Sequence, residues 1–235
     1  MTPREAIPKS WTDYLTEGVI GVGMDLATTA NKTSNPSSIT VTQKVGNIYH
    51  TRLVVSFKTA DPEVSEEMLK IILQDIAAIS RTRRICLDAS SEIFFATKLK
   101  KKILKFATVE LVKGGSKVSY KGEEMNSKTL LGNIYVNLFE DGLITLPLGD
   151  WLRDDHRLVT KDRGSFLTLL GRNGEHGDTF DSGKLSIWAI EKGSGRARAT
   201  ATAVGSMGGK SQNLRPGLIG PIGKKMKAFF SRNNY

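Results

Sequence analysis

The chain has 235 residues, 34 of them Lys or Arg against 24 Asp or Glu, a formal net charge of +10 and 39% hydrophobic residues. A single cysteine, Cys86, excludes an intrachain disulfide, and no apolar run reaches the ~18–20 residues of a membrane span. The N-terminus lacks the apolar core of a secretory signal, so the expected setting is soluble and cytosolic.

The charge is unevenly placed. Nine basic and no acidic residues lie between Lys192 and Tyr235, leaving +1 for residues 1–191. Such a tail suits nucleic acid or another anionic surface, and a merely solubilising end would have the same composition. The expected organisation is an N-terminal arm or linker (1–17), a folded body (18–191) and a basic, Gly/Ser-rich tail (192–235).

In chain order, the first 17 residues carry two prolines and little periodicity. Strand-like runs follow at Val19–Asp25, Ser38–Lys44 and Tyr49–Lys58, the last two joined through "VGN" as a tight hairpin. "ADPEVSEEMLKIILQDIAAIS" predicts a helix capped by Asp61, with Pro62 in its first turn. Its apolar face is Met68, Leu69, Ile72, Leu73, Ile76 and Ile79.

"RRICLDAS" is a short buried strand ending at Asp88, and "SEIFFATKLKKKILKF" a helix with a lysine-rich side. "TVELVK" is another strand, and residues 122–142 read as one helix stopped at Gly142. "LITLP" leads into two strand-like runs around Gly164, a β-hairpin over 156–170. "GDTFDSGKLSIWAIEK" is the last helix. Hairpin strands first and βα units afterwards predict an α/β fold, a mixed five-stranded sheet with flanking helices and an auxiliary hairpin.

Two strands end in aspartate, Asp25 and Asp88, and Asp178 opens the last helix with Asp181 one turn on. If the two strands pair in parallel, Asp25 and Asp88 emerge side by side, and a helix crossing that edge brings Asp178 to them. Carboxylates gathered in this way repel unless a hard divalent cation neutralises them, and all-oxygen ligands favour Mg²⁺ or Mn²⁺. Two such ions suit phosphodiester hydrolysis, one activating water and the other stabilising the departing 3′ oxygen. Each aspartate also has an ordinary explanation: Asp25 starts a turn, Asp88 caps the next helix, and Asp178 is an N-cap with Asp181 as its box partner.

Taken together, "GVGMDLATT…SNPSSITV", "RRICLDASSE", "KTLLGNIYVNLFEDGLITLP" and "HGDTFDSGKLSIWA" resemble the nuclease domain of the large terminase subunit of tailed bacteriophages. The match runs over roughly residues 18–191 and implies a ribonuclease H-like fold. By position it assigns Asp25, Asp88 and Asp178 as catalytic, metal-holding residues. The family's third motif commonly reads His-Asp-Asp, whereas this chain has His176-Gly177-Asp178. Asp181 becomes a further candidate ligand, and Glu92 and His176 candidate supports around the ions. The resemblance also places the hairpin near the site and implies two Mg²⁺ or Mn²⁺ ions, a double-stranded DNA substrate and an endonuclease working in the cytoplasm of an infected bacterium. Its expected partners are an ATPase domain, a small terminase subunit and the portal or procapsid, with no membrane. The ATPase half is absent from this sequence; "VGSMGGKS" at 204–211 lacks a P-loop's first glycine.

Candidate DNA contacts are Lys98, Lys101 and Lys102 on the lysine-rich helix, together with Lys128 and Arg153, which fall near the family's DNA-facing positions. Contacts of that kind are directed to the backbone and depend on salt. "GVIGVG" does not meet the GxGxxG order of a dinucleotide loop. Two further readings fit the residues: a junction resolvase or recombinase of the same fold, and a non-catalytic DNA-binding or assembly module whose aspartates are caps.

Overall fold

The computed structural model describes residues 2–27, 35–120, 122–171 and 176–193. The basic tail beyond Gly193, with the 204–211 motif, lies outside the described residues. Three strands open the body: β1 (Val19–Asp25), β2 (Ser37–Val45) and β3 (Ile48–Phe57). They form an antiparallel meander, β2 and β3 turning through Gly46 at φ 59°, a left-handed value suited to glycine at a two-residue hairpin loop.

Helix α1 (Pro62–Ala77) starts where Asp61 Oδ1 accepts the Glu63 N–H at 2.8 Å. Met68, Leu69, Ile72, Leu73 and Ile76 are buried as their spacing predicts. Ile79 lies beyond the helix end and is 55% exposed, a correction to the expected apolar face. Then come β4 (Thr82–Asp88), α2 (Ile93–Ile103) and β5 (Thr108–Val112), with β4 parallel to both β1 and β5.

Residues 122–142 are not one helix. Strands β6 (Lys117–Tyr120) and β7 (Glu123–Asn126) pair as a hairpin, and α3 (Ser127–Glu140) begins only afterwards, capped by Asn126. β8 (Ile144–Thr145) then pairs in parallel with β3. The five expected strands are present, and this two-residue segment adds a sixth, in the order β5-β4-β1-β2-β3-β8. Helix α4 (Asp150–Arg157) had no counterpart in the sequence reading. The hairpin around Gly164 is β9 (Val159–Asp162) with β10 (Ser165–Thr168), and α5 (Asp178–Glu191) closes the described fold. Among the described residues no helix is long and apolar enough to cross a membrane.

Strand alternation sorts the sheet's two faces. Ile20, Val22, Met24, Ile85 and Leu87 pack with α1 and α2 in one core, while Cys86 faces the other way, onto Leu185 and Trp188 of α5. Burial raises the Cys86 thiol pKa, consistent with a packing role. Gly21 and Gly23 face α5 as well.

Ile7, Trp11 and Leu15 of the expected arm are buried in the α1/α2-side core, and Trp11 Nε1 donates to Asp75 at 3.2 Å. Trp11→Ala is therefore expected to cost about 3–5 kcal/mol of unfolding free energy in urea titration. A free linker would make that change nearly neutral.

Candidate metal centre

The β1–β4 register sets Met24 opposite Leu87, so Asp25 and Asp88 leave neighbouring parallel strands side by side, on the face that α5 covers. Asp88 serves the local turn too, Oδ1 accepting the Ser90 N–H at 2.7 Å. Glu92, not Asp88, occupies the N-cap position of α2.

The first turn of α5 brings Asp178 and Asp181 to the same place. Asp25, Asp88, Asp178 and Asp181 line one cavity of about 550 Å³ with Glu92, His176 and Lys128. The three principal candidates of the sequence reading thus share one cavity. Among the described residues, however, no three carboxylate, histidine or cysteine side chains are drawn close enough to clasp an ion. Carboxylates gathered around one cavity repel one another.

That repulsion shows in the acidities. The Asp25 carboxyl is held well above the usual carboxylate range, first by burial and then by Asp181, Asp88 and Asp178, with Lys184 opposing. Asp178 is pushed up to about 7 by burial, then by Asp155 and Asp181.

Asp178 does not cap its helix. The N-cap position is Gly177, and Asp155 of α4 does the capping from outside: Oδ1 accepts the Gly177 N–H and Oδ2 the Thr179 N–H, both at 2.9 Å. Asp155 also accepts the Thr179 hydroxyl. Next to it, His156 Nδ1–H donates to Leu152 O at 2.9 Å and Nε2 lies 3.0 Å from the Tyr135 hydroxyl. Desolvation lowers the His156 pKa, so the ring stays neutral near pH 7. Asp178, 3% exposed, is left with a buried Oδ2 that has no hydrogen-bond partner.

A buried carboxylate oxygen without a partner is costly, and an oxygen-only donor set is what a hard cation takes. The residues fit a divalent ion. Gly177 itself offers no ligand. Its φ of 71° is left-handed, and a Cβ there would lie 2.4 Å from Val159 Cγ2.

Asp181 is committed differently from Asp178. It forms an ion pair with Lys184, whose side chain is 7% exposed. Sequence reading missed both Lys184 and Asp155. Lys184 follows Asp181 at i+3, a spacing readable in principle; Asp155 reaches Gly177 and Thr179 across 22 and 24 residues, and no local pattern signals that.

Of the cationic candidates, only Lys128 lines the cavity. Arg153 sits on α4 paired with Asp150 and Asp154, beside an apolar groove. Lys98, Lys101 and Lys102 are exposed on α2, and Lys102 is bonded to Glu66.

A three-stranded antiparallel meander extended by parallel βα strands, with carboxylates at the strand ends under a crossing helix, defines the ribonuclease H-like class. Viral terminase nucleases are among the similar solved structures. The large terminase nuclease from thermophilic phage G20c is 14% identical, with TM-score 0.52 over 74% of this chain and 83% of that one. The same nuclease with bound magnesium is 17% identical, with TM-score 0.53 over 74% and 82%. The large terminase of a second thermophilic bacteriophage, in complex with ATP-gamma-S, is 15% identical at TM-score 0.53, over 77% of this chain but 42% of that protein. At these identities the likeness establishes the fold, that of a large terminase nuclease domain. No protein-family model matches the chain, and no curated protein sequence matches it significantly.

Proposed function

We propose that this chain is the nuclease module of a viral DNA-packaging terminase, a metal-dependent endonuclease that cuts concatemeric double-stranded phage DNA. The observation that carries the reading is Asp178: relieved of capping by Asp155, buried, and without a partner for Oδ2 in a cavity it shares with Asp25 and Asp88. The magnesium bound by the G20c nuclease, which shares the fold, supports the choice of ion.

Asp25, Asp88 and Asp178 would hold two Mg²⁺ or Mn²⁺ ions. When bound, such ions supply Lewis acidity, lowering the pKa of water and neutralising charge on the leaving 3′ oxygen. The chain's own residues do the rest. Asp155 fixes the first turn of α5 so that Asp178 faces the cavity. Lys128 at the cavity wall receives a backbone phosphate, a contact that ignores base identity and weakens with salt. Glu92 and His176 border the same space and support the ligands.

The wider assignment extends from the same reading. The ATP analogue bound by the second phage's large terminase suggests an ATPase domain as partner. A small subunit and the portal or procapsid would complete the machine in the host cytoplasm, with the basic segment 192–235 contacting DNA or docking there.

The test is nicking of supercoiled plasmid by the intact chain at low salt, in Mn²⁺ and in EDTA. Cutting confined to Mn²⁺ is expected. No cutting in Mn²⁺, or cutting that EDTA spares, would defeat the assignment, and a strong preference for four-way junctions would move it to a resolvase.

A further inference from the structure

Asp178 and Asp181 stand one turn apart on α5 and border the same cavity, yet their surroundings differ. Asp178 Oδ2 is buried with no partner, whereas Asp181 Oδ1 is bonded to the Lys184 ammonium. A lysine this buried is exceptional unless paired, and Asp181 supplies the pair. Lys184 also lies 5.9 Å from the Phe180 ring centroid. It lines a neighbouring cavity of about 320 Å³ that shares Asp88, Asp181 and Lys128 with the acidic one. Its charge therefore lies beside the acidic cavity, close enough to act on the Asp25 carboxyl.

On the reading that the carboxylates hold divalent ions, we propose that Lys184 is a resident cation of the site, which keeps Asp181 out of the ion-holding set and lowers the affinity for those ions. The ligands are then Asp25, Asp88 and Asp178. The Lys184–Asp181 pair contributes no net charge, and removing either member alone unbalances the cavity. Asp181 thereby becomes a positioning residue that keeps the ammonium in place.

The test is Mn²⁺ binding to the full chain, monitored by titration calorimetry. Lys184→Met keeps the unbranched apolar stem of the side chain, deletes the charge and releases Asp181. A gain in Mn²⁺ affinity of about tenfold or more is expected, because one positive charge near a divalent ion in a partly buried site is worth at least that much. The double variant Lys184→Met/Asp181→Asn removes a neutral pair and should stay within about threefold of the parent, whereas Asp178→Asn should lose binding. A Lys184→Met variant that binds no more tightly than the parent overturns the proposal. So does a double variant as weak as Asp178→Asn, since Asp181 would then be a ligand. If Lys184→Met does not fold, the double variant, with no charge left unpaired, decides alone by the same criterion. Absence of Mn²⁺ binding in parent and variants alike would instead remove the metal reading beneath it.

Discussion

Asp178→Asn should reduce Mn²⁺-dependent plasmid nicking by on the order of 10³-fold while making the metal-free protein no less stable at pH 8. Asparagine keeps the shape of the side chain but cannot carry the charge that an ion would neutralise. Its effect on stability follows from the direction of the Asp178 shift. The carboxyl titrates near 3.8 when unperturbed and is pushed up to about 7 in the fold. The folded state therefore binds the proton more tightly than the unfolded state. The stabilisation is complete below about pH 4 and disappears as pH rises through 7, a span that linkage limits to roughly 4 kcal/mol.

Asp25 is shifted in the same direction and adds to the trend. The parent in EDTA should thus melt at a lower temperature at pH 8 than at pH 5, and Mn²⁺ should restore much of the loss. In Asp178→Asn the drop between the two pH values should shrink, as should the gain from Mn²⁺. Thermal melts at both pH values, with and without Mn²⁺, measure all of this. A variant whose profile matches the parent's in every condition, or one that still cuts, would remove Asp178 from the proposed metal centre.

The pattern of the sequence located the elements with strong periods and clear caps. Asp61 with Pro62 announces α1, and the apolar runs ending in Asp25 and Asp88 announce the strands that present them. What escaped depends on contacts distant in sequence. "GEEMN" is rich in helix formers, yet pairing of Val118 with Met125 holds it as a strand. Helix α4 buries only Leu152 and Asp155, too few for an apolar stripe. Ile7, Trp11 and Leu15 recur at steps of four, a helical spacing, but Pro3 and Pro8 interrupt the segment, which forms only a short 3₁₀ turn at Trp11–Tyr14, and their burial shows in the core they pack against. Of the candidate site, Asp25, Asp88 and Asp178 were legible as neighbours of one cavity because each stands at an element end. The reason Asp178 has an oxygen to spare was not, since the capping that relieves it comes from Asp155 on a helix that sequence alone did not disclose.

Gly23→Ala should have the largest effect on stability, about 4 kcal/mol or more, enough to leave the chain unfolded or molten. β1 runs directly beneath α5, and a Cβ on Gly23 would lie 2.1 Å from Ser182 O and 2.4 Å from Ser186 N. These are backbone atoms of the helix, so no side chain can swing aside to admit the methyl. Gly21 is under the same restriction, its Cβ falling 2.4 Å from Ser186 O. The glycines that gave "GVIGVG" a superficial likeness to a dinucleotide loop thus serve close packing of helix on strand.

The approach is also fixed by hydroxyls. Ser182 Oγ meets Ser38 Oγ at 2.9 Å and Thr40 Oγ1 at 2.7 Å, and Ser186 Oγ meets Thr42 Oγ1 at 2.6 Å. Lifting α5 by the ångström or so that a methyl demands would break these buried bonds. It would also carry Asp178 and Asp181 away from Asp25 and Asp88. Any folded fraction should therefore bind Mn²⁺ poorly. Gly46→Ala is the control: nothing lies within 4 Å of its Cβ, and only the left-handed φ resists, at roughly 1 kcal/mol. Urea unfolding and Mn²⁺ titration of both variants decide the matter. A Gly23→Ala protein within about 1 kcal/mol of the parent, with Mn²⁺ affinity intact, would mean that the helix is free to shift and that its contact with β1 does not set the site.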